Sequence, residues 1–157
     1  MTGPLALVGG TEWTDGCDFD ASLLAMSGGT EVTMLPAAAA FENPAKAIAR
    51  AEGWFADLGA TVRVVPVYRR AESTDQTAID AVRSARFIYL ADGSAAHLRS
   101  VLKDTPLVDA LVAAWDDGAV LAASAQAATA RNRRHRRPRP AHRARHPRDA
   151  RLVRRPP

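Results

Sequence analysis

Residues 117–124 read Asp117-Gly118-Ala119-Val120-Leu121-Ala122-Ala123-Ser124, a turn glycine followed by apolar residues and a terminal hydroxyl. A run this short and continuously apolar predicts a strand over residues 119–123 that is buried on both faces. Similar runs, each bounded by turn residues, occupy residues 5–8, 31–35, 61–68 and 86–90. Strands covered on both faces are typical of a parallel sheet, so we expect a sheet of about five parallel strands.

Segments of helical length separate these runs. Apolar residues recur at helical spacing within residues 18–27, 43–59, 73–84 and 105–118. Asn43-Pro44 and Thr105-Pro106 are typical helix starts, and glycines follow at the expected ends. The alternation predicts an α/β fold, a doubly wound parallel sheet whose ligands lie at the carboxyl ends of the strands.

The charged side chains divide the chain into two segments. Residues 1–130 hold nine basic and sixteen acidic side chains, whereas residues 131–157 hold twelve arginines and one aspartate. We expect residues 1–130 to form one α/β domain with a hydrophobic core. Residues 131–157 have Leu152-Val153 as their only large apolar side chains, so we expect a disordered tail rich in arginine and proline.

The composition argues against several classes of protein. The one cysteine, Cys17, permits no intramolecular disulfide. No run approaches the roughly 18 apolar residues of a membrane span, and no basic region precedes the short apolar run near the N-terminus. We therefore expect a cytoplasmic protein without membrane contact. Since the sequence has no metal-ligand cluster and no phosphate-binding glycine loop, we expect no metal and no cofactor.

Ser124 is the first candidate for chemistry. A tight turn from strand into helix would expose its hydroxyl as a nucleophile, and the following N–H, that of Ala125, would stabilise an oxyanion. A serine at such a junction is more often a helix N-cap. Asp92-Gly93-Ser94 follows the strand at 86–90, and the Gly93 N–H is a candidate second oxyanion donor. The alternative there is a simple turn in which Ser94 caps the next helix.

Three further side chains have both a chemical and a simpler interpretation. Glu12 is able to bind a cationic substrate group, but we expect an exposed loop carboxylate. His97 is the one histidine before the tail, and we expect it on the surface of the helix after Gly93, a poor position for a general base. Cys17 lies near a helix start, where a thiol pKa can fall, but no histidine partner is predictable.

Six segments in order carry a resemblance to a known family: residues 3–13, 34–42, 54–60, 86–94, 97–98 and 117–124. They resemble the cyanophycinase and dipeptidase E group of serine peptidases, which share the class I glutamine amidotransferase-like fold. The resemblance implies hydrolysis of amide bonds near acidic residues, without metal or organic cofactor. It also implies that Ser124 is the nucleophile and that Gly93 lies in the oxyanion turn.

The chain departs from the family pattern at three places. Ala125-Gln126-Ala127 follows Ser124 where the family has a nearby glycine, and Asp92 stands where glycine is common. Family members continue beyond the serine to a catalytic histidine and an acidic partner, whereas an arginine-rich tail follows here. Since His135, His142 and His146 have no strand or turn context, we expect a sheet incomplete on its C-terminal side and an impaired triad. We hypothesise a frameshift near Ser124 in a GC-rich gene.

Two other functions compete with a peptidase. The first is a catalytically inactive fragment whose twelve arginines bind nucleic acid non-specifically, although the tail lacks aromatic residues and the rest of the chain is acidic. The second is a glutamine amidotransferase, which requires a cysteine where Ser124 stands. The expected partners are a peptide or small amide substrate, and oligomers or aggregates formed through an unpaired strand edge and exposed apolar surface.

Overall fold

The computed structural model describes residues 1–9 and 12–124 of the chain. These residues form one sheet of five strands: β1 (Leu5–Val8), β2 (Glu31–Leu35), β3 (Thr61–Val64), β4 (Phe87–Leu90) and β5 (Val120–Ser124). The strand order is β1-β5-β4-β2-β3, and each neighbouring pair is parallel. The predicted α/β class and the parallel sheet are confirmed.

Helices cover both faces of the sheet: α1 (Phe19–Ser27), α2 (Pro44–Asp57), α3 (Gln76–Arg83), α4 (Ala95–Leu102) and α5 (Pro106–Asp116). The helices α1 and α2 pack on one face, in a core cluster that includes Phe55 and Tyr89. The helices α3, α4 and α5 pack on the opposite face, around Ile88 and Leu107. Right-handed crossovers that lead first one way and then back across the sheet produce this two-sided arrangement.

The helix starts follow local capping chemistry. The Asn43 side chain accepts a hydrogen bond from the Lys46 N–H at 3.2 Å, and Pro44 occupies the first turn of α2. The helix predicted from residue 73 begins later, at Gln76. Asp75 is extended and its side chain caps α3 through the Ala78 N–H at 2.9 Å, so the residues before it form a separate 3-10 turn, Arg70–Thr74.

The strand predicted over residues 61–68 is shorter than expected and ends at Val64. Pro66 has no N–H to donate to a neighbouring strand, and the Val67 N–H bonds to the Val65 carbonyl at 2.8 Å in a tight turn. Val65 and Val67 are nevertheless buried against α3. The apolar run therefore reflects burial beyond the end of the strand, which periodicity cannot distinguish from the strand itself.

The N-terminal residues fix β1 beside β5. The Gly3 N–H donates to the Trp115 carbonyl at 2.8 Å, and the Trp115 indole donates to the Gly3 carbonyl at 2.8 Å. A Cβ atom at position 3 would overlap the Ala119 carbonyl, so only glycine permits this close approach. The start of β1 is thereby held next to the start of β5.

The outer face of β1 carries two exposed leucines. Leu5 and Leu7 are 52% and 72% exposed, and β1 is an edge strand of the sheet that the described residues form. Both side chains point away from Val8, which is buried on the α1 side of the sheet. An unpaired strand edge with adjacent leucines is a surface prone to self-association.

The expected boundary between a domain of residues 1–130 and a tail of residues 131–157 lies outside the described residues, so it stays a prediction. Within the described ranges, no helix has the length and the apolar character needed to span a bilayer.

We expect Leu7→Lys to reduce self-association of the chain, because it places a charge on the unpaired edge of β1. The free energy of unfolding should change by less than about 0.5 kcal/mol, since the Leu7 side chain is largely exposed. Sedimentation velocity over a concentration series measures the effect. Met26→Lys is the matched control, because Met26 is 63% exposed on α1. Equal association of both variants and the wild type would argue against an edge contact.

Candidate active site

Ser124 lies at the carboxyl edge of the sheet, between two loops. Val8 of β1 pairs with Ser124, and Leu90 of β4 pairs with Ala123. The chain that follows β1 and the chain that follows β4 therefore leave the sheet on either side of Ser124. Ser124 is the last residue of β5 and does not lie in a helix. This is the edge at which parallel α/β sheets bind ligands.

The Ser124 hydroxyl is enclosed but makes no hydrogen bond with the described residues. Its side chain shares a face of the sheet with Val120 and Ala122, the face covered by α1 and α2. A buried hydroxyl without a partner carries a desolvation penalty, which makes it a candidate functional group. Ala125, the predicted neighbouring oxyanion donor, lies outside the described residues.

Gly93 occupies a turn that other residues do not fit. Its φ is +145°, and a Cβ atom there would overlap the Ala38 carbonyl group. The Ser94 N–H bonds to the Ala38 oxygen at 2.9 Å, which holds the turn against the loop after β2. The Ser94 side chain accepts from the His97 N–H at 3.2 Å and caps α4, so the helix-capping interpretation is correct for Ser94.

Glu12 is not the exposed loop carboxylate that the sequence predicts. It is 4% exposed, and its Oε1 accepts a hydrogen bond from the Asp92 N–H at 2.9 Å. The Arg50 guanidinium donates to the Glu12 main-chain carbonyl. The expectation was wrong because these partners are remote in sequence. The available signal was the position of Glu12 just beyond a strand end, which places it at the same edge as Ser124.

Burial raises the pKa values of two carboxyl groups near this edge. Burial raises the pKa of Glu12 to about 7, with Asp92 and Asp20 adding repulsion, while the Asp92 N–H and Arg50 oppose the shift. Burial also raises the pKa of Asp20 to about 6, although the hydrogen bond that the Trp54 indole donates to it at 3.0 Å acts to lower that pKa. Sequence reasoning did not identify Asp20, which is fully buried on α1.

Aromatic rings form the base of this region. Tyr89 is fully buried in β4, and its ring lies 5.1 Å from that of Trp13. Burial, together with the nearby Asp20 and Glu12 carboxyls, raises the pKa of the Tyr89 hydroxyl far above its ordinary value. Buried polar atoms that make no hydrogen bond with the described residues are Glu12 Oε2, Trp13 Nε1, Asp20 Oδ1, Tyr89 OH, Asp92 Oδ1 and Ser124 Oγ.

The structure keeps His97 engaged elsewhere. Its Nε2 lies 2.8 Å from the Tyr68 carbonyl oxygen, and its ring packs against Phe41 at 4.7 Å. A carbonyl oxygen only accepts hydrogen bonds, so Nε2 must carry a proton in this contact. His97 lies on α4, the helix after Gly93, as predicted, and its side chain is partly exposed. Cys17 is buried just before α1, and the described residues hold no cluster of side chains suited to a metal ion.

Comparison with known proteins agrees with this arrangement. The family model for peptidase family S51 matches residues 5–136, which extends beyond Ser124. The chain belongs to peptidase family S51. The predicted resemblance to a family of peptidases is confirmed.

One solved structure shares both the fold and a measurable sequence identity with this S51 family member. The crystal structure of a peptidase from an acI-B1 Actinobacterium superposes with a TM-score of 0.73 at 25% identity. The alignment covers 80% of this chain and 55% of that chain, so this chain spans about half the length of that peptidase. No curated protein gives a significant match.

We expect Gly93→Ala to destabilise the protein by at least about 2 kcal/mol, because it combines a positive φ with a clash against Ala38. Urea denaturation measures the free energy of unfolding. Gly53→Ala is the matched control: Gly53 is exposed within α2, has no atom near an added Cβ, and should gain about 1 kcal/mol. Similar stability of both variants would contradict the described turn.

We expect the free energy of unfolding to fall as the pH rises from about 4 to about 7. The folded protein holds protons on Glu12 and Asp20, with pKa values of about 7 and about 6, above their ordinary values of 4.5 and 3.8. This stabilisation is complete below the ordinary pKa values and is lost as the pH rises through the folded ones. At about 1.4 kcal/mol per pKa unit, each group contributes up to about 3 kcal/mol.

Urea denaturation at several pH values tests this expectation. The double variant Glu12→Gln, Asp20→Asn keeps both hydrogen-bond acceptors but cannot ionise, so its stability should vary less over the same range. A dependence as steep as that of the wild type would show that other groups cause it.

Proposed function

We propose that Ser124 is the nucleophile of a peptidase that hydrolyses amide bonds in peptides or small amides. The backbone N–H groups of Gly93 and Ala125 are the proposed oxyanion donors. The observation that carries the proposal is the Ser124 hydroxyl, which lies at the carboxyl edge of the sheet near the loop after β4 and makes no hydrogen bond with the described residues. Membership of a serine peptidase family supports the same assignment.

The geometry suits acyl transfer in three respects. The Ser124 oxygen has no hydrogen bond with the described residues to break before it attacks a carbonyl carbon. The Gly93 turn is fixed by contact with Ala38, so its backbone is organised before substrate binds. No described residue accepts a hydrogen bond from the Gly93 N–H, which leaves it available for an oxyanion.

The proposed reaction proceeds through a tetrahedral intermediate. The Ser124 oxygen forms a bond to the substrate carbonyl carbon, the carbonyl oxygen takes the negative charge, and the serine proton passes to a base. Collapse of the intermediate breaks the C–N bond, with a proton delivered to the leaving amine. Water then hydrolyses the acyl-enzyme and regenerates the serine.

We propose that turnover by this chain is slow. His97 is the only histidine in the described residues, and its Nε2 is committed to the Tyr68 carbonyl. A serine without an adjacent base is a weak nucleophile. The Asp92 side chain, in the oxyanion turn, adds a second penalty because a carboxylate there would repel the developing oxyanion.

The alternative is an inactive protein whose arginine-rich residues 131–157 bind nucleic acid through phosphate contacts. Its basis is the sequence composition, since those residues lie outside the described ranges. The acidic excess of residues 1–130 opposes a polyanionic partner, which places this function second.

We expect a fluorophosphonate probe to label the full chain slowly, at Ser124, and expect Ser124→Ala to abolish that labelling. Peptide mass spectrometry identifies the labelled residue. The matched control is Ser22→Ala, because Ser22 is an exposed serine on α1 and should not contribute. Labelling that persists in Ser124→Ala would refute the nucleophile assignment, and a wild type that resists labelling would favour the inactive alternative.

A further inference from the structure

We infer that Glu12 is a positioning residue that holds the Asp92–Gly93 turn above Ser124. This inference rests on the proposed function, since it assigns the residue that sets the geometry of the proposed oxyanion donor. It concerns a hydrogen bond that is present in the structure whether or not the chain is active.

The first argument is the path of the hydrogen bond. Glu12 follows β1 and Asp92 follows β4, and β5 lies between these two strands. The bond from the Asp92 N–H to Glu12 Oε1, 2.9 Å long, therefore crosses the end of β5, where Ser124 lies. Because β5 separates β1 from β4, these two strands share no ladder hydrogen bonds, and the Glu12 side chain links the loops that follow them.

The second argument is that the turn is otherwise fixed from one side only. The Ala91 N–H donates to the Leu35 carbonyl at 3.1 Å, and the Ser94 N–H donates to the Ala38 carbonyl at 2.9 Å. Both acceptors lie at or beyond the end of β2, on the side away from β1. Glu12 supplies the opposing contact, on the β1 side of the turn, and Gly93 lies between this contact and the one at Ser94.

The third argument is that Glu12 is itself held in place. The Arg50 side chain of α2 donates to the Glu12 main-chain carbonyl, which fixes the backbone from which the carboxyl extends. Glu12 is 4% exposed, so few rotamers are open to it. The Glu12 contacts thus join three parts of the fold: the loop after β1, α2 and the loop after β4 that contains the turn.

The charge of the Glu12 carboxyl explains how an acidic residue is tolerated beside an oxyanion site. The groups that face it are Asp92 from the loop after β4, Asp20 from α1 and Arg50 from α2. Burial and the two aspartates favour the neutral acid, which accepts through Oε1 without placing a full negative charge near Ser124. Glutamine reproduces that state, because its amide oxygen accepts the same hydrogen bond.

Hydrogen exchange measured by mass spectrometry on the full chain tests the inference without requiring activity. The Asp92 amide should be protected in the wild type and in Glu12→Gln. In Glu12→Leu, which fills the site with an apolar side chain that has no acceptor, it should exchange about tenfold faster or more, with the β4 amides unchanged. Glu52→Ala is the matched control, because Glu52 is an exposed carboxylate on α2.

The rate of fluorophosphonate labelling provides a second readout. Glu12→Leu should label Ser124 about tenfold more slowly, with no change in the probe concentration that gives half-maximal rate, and Glu12→Gln should restore the rate. A purely structural role for Glu12 would change the global stability and not this rate at saturating probe.

Three results would overturn the inference. They are an unprotected Asp92 amide in the wild type, equal exchange of the Asp92 amide in the wild type and Glu12→Leu, or a loss of Asp92 protection in Glu12→Gln as large as in Glu12→Leu. If Glu12→Leu does not fold, the inference is tested by whether the Asp92 amide is protected both in the wild type and in Glu12→Gln. Failure of the nucleophile proposal appears separately, as labelling that survives Ser124→Ala.

Discussion

The parallel pairing of β5 between β1 and β4 is the constraint on which the candidate site depends. It brings the ends of three strands to one edge and sets Ser124 between the loops that follow the other two. The contacts of Gly3 with Trp115 hold β1 in this register, and the overlap that a side chain at Gly93 would cause keeps the second loop against Ala38. Each of these contacts is made to a main-chain atom, and the Ser124 hydroxyl makes no hydrogen bond with the described residues.

The buried polar groups around Ser124 reduce the free energy that folding of this region releases. Several buried polar atoms there make no hydrogen bond with the described residues, and two carboxyl groups, Glu12 and Asp20, have pKa values raised by burial. Such groups lower the stability of the folded state, so their presence in a cluster points to a functional site. Their concentration at the carboxyl edge of the sheet, and the apolar character of the opposite core around Ile88, distinguish the candidate site from the part of the fold that supports it.

Sequence patterns identified the larger elements because each depends on local or periodic signals. The five apolar runs form five parallel strands. Asn43 caps α2 and Pro44 occupies its first turn, as expected. The errors have physical reasons. The third strand ends at Val64 because of Pro66, although buried apolar residues continue past that strand end. The helix α3 begins only at Gln76, because Asp75 is its N-cap. When a buried loop follows a strand, the apolar run continues from the strand into the loop, so the sequence does not show where the strand ends.

The sequence by itself determined the α/β class, the family resemblance and the candidacy of Ser124 and Gly93, since strand length, glycine and capping residues act over a few neighbours. Only the tertiary structure decided that Glu12 is buried and bonded to Asp92, that Asp20 pairs with Trp54, and that His97 contacts Tyr68. These contacts join residues far apart in the chain, and strand order, which no local pattern encodes, brings them together.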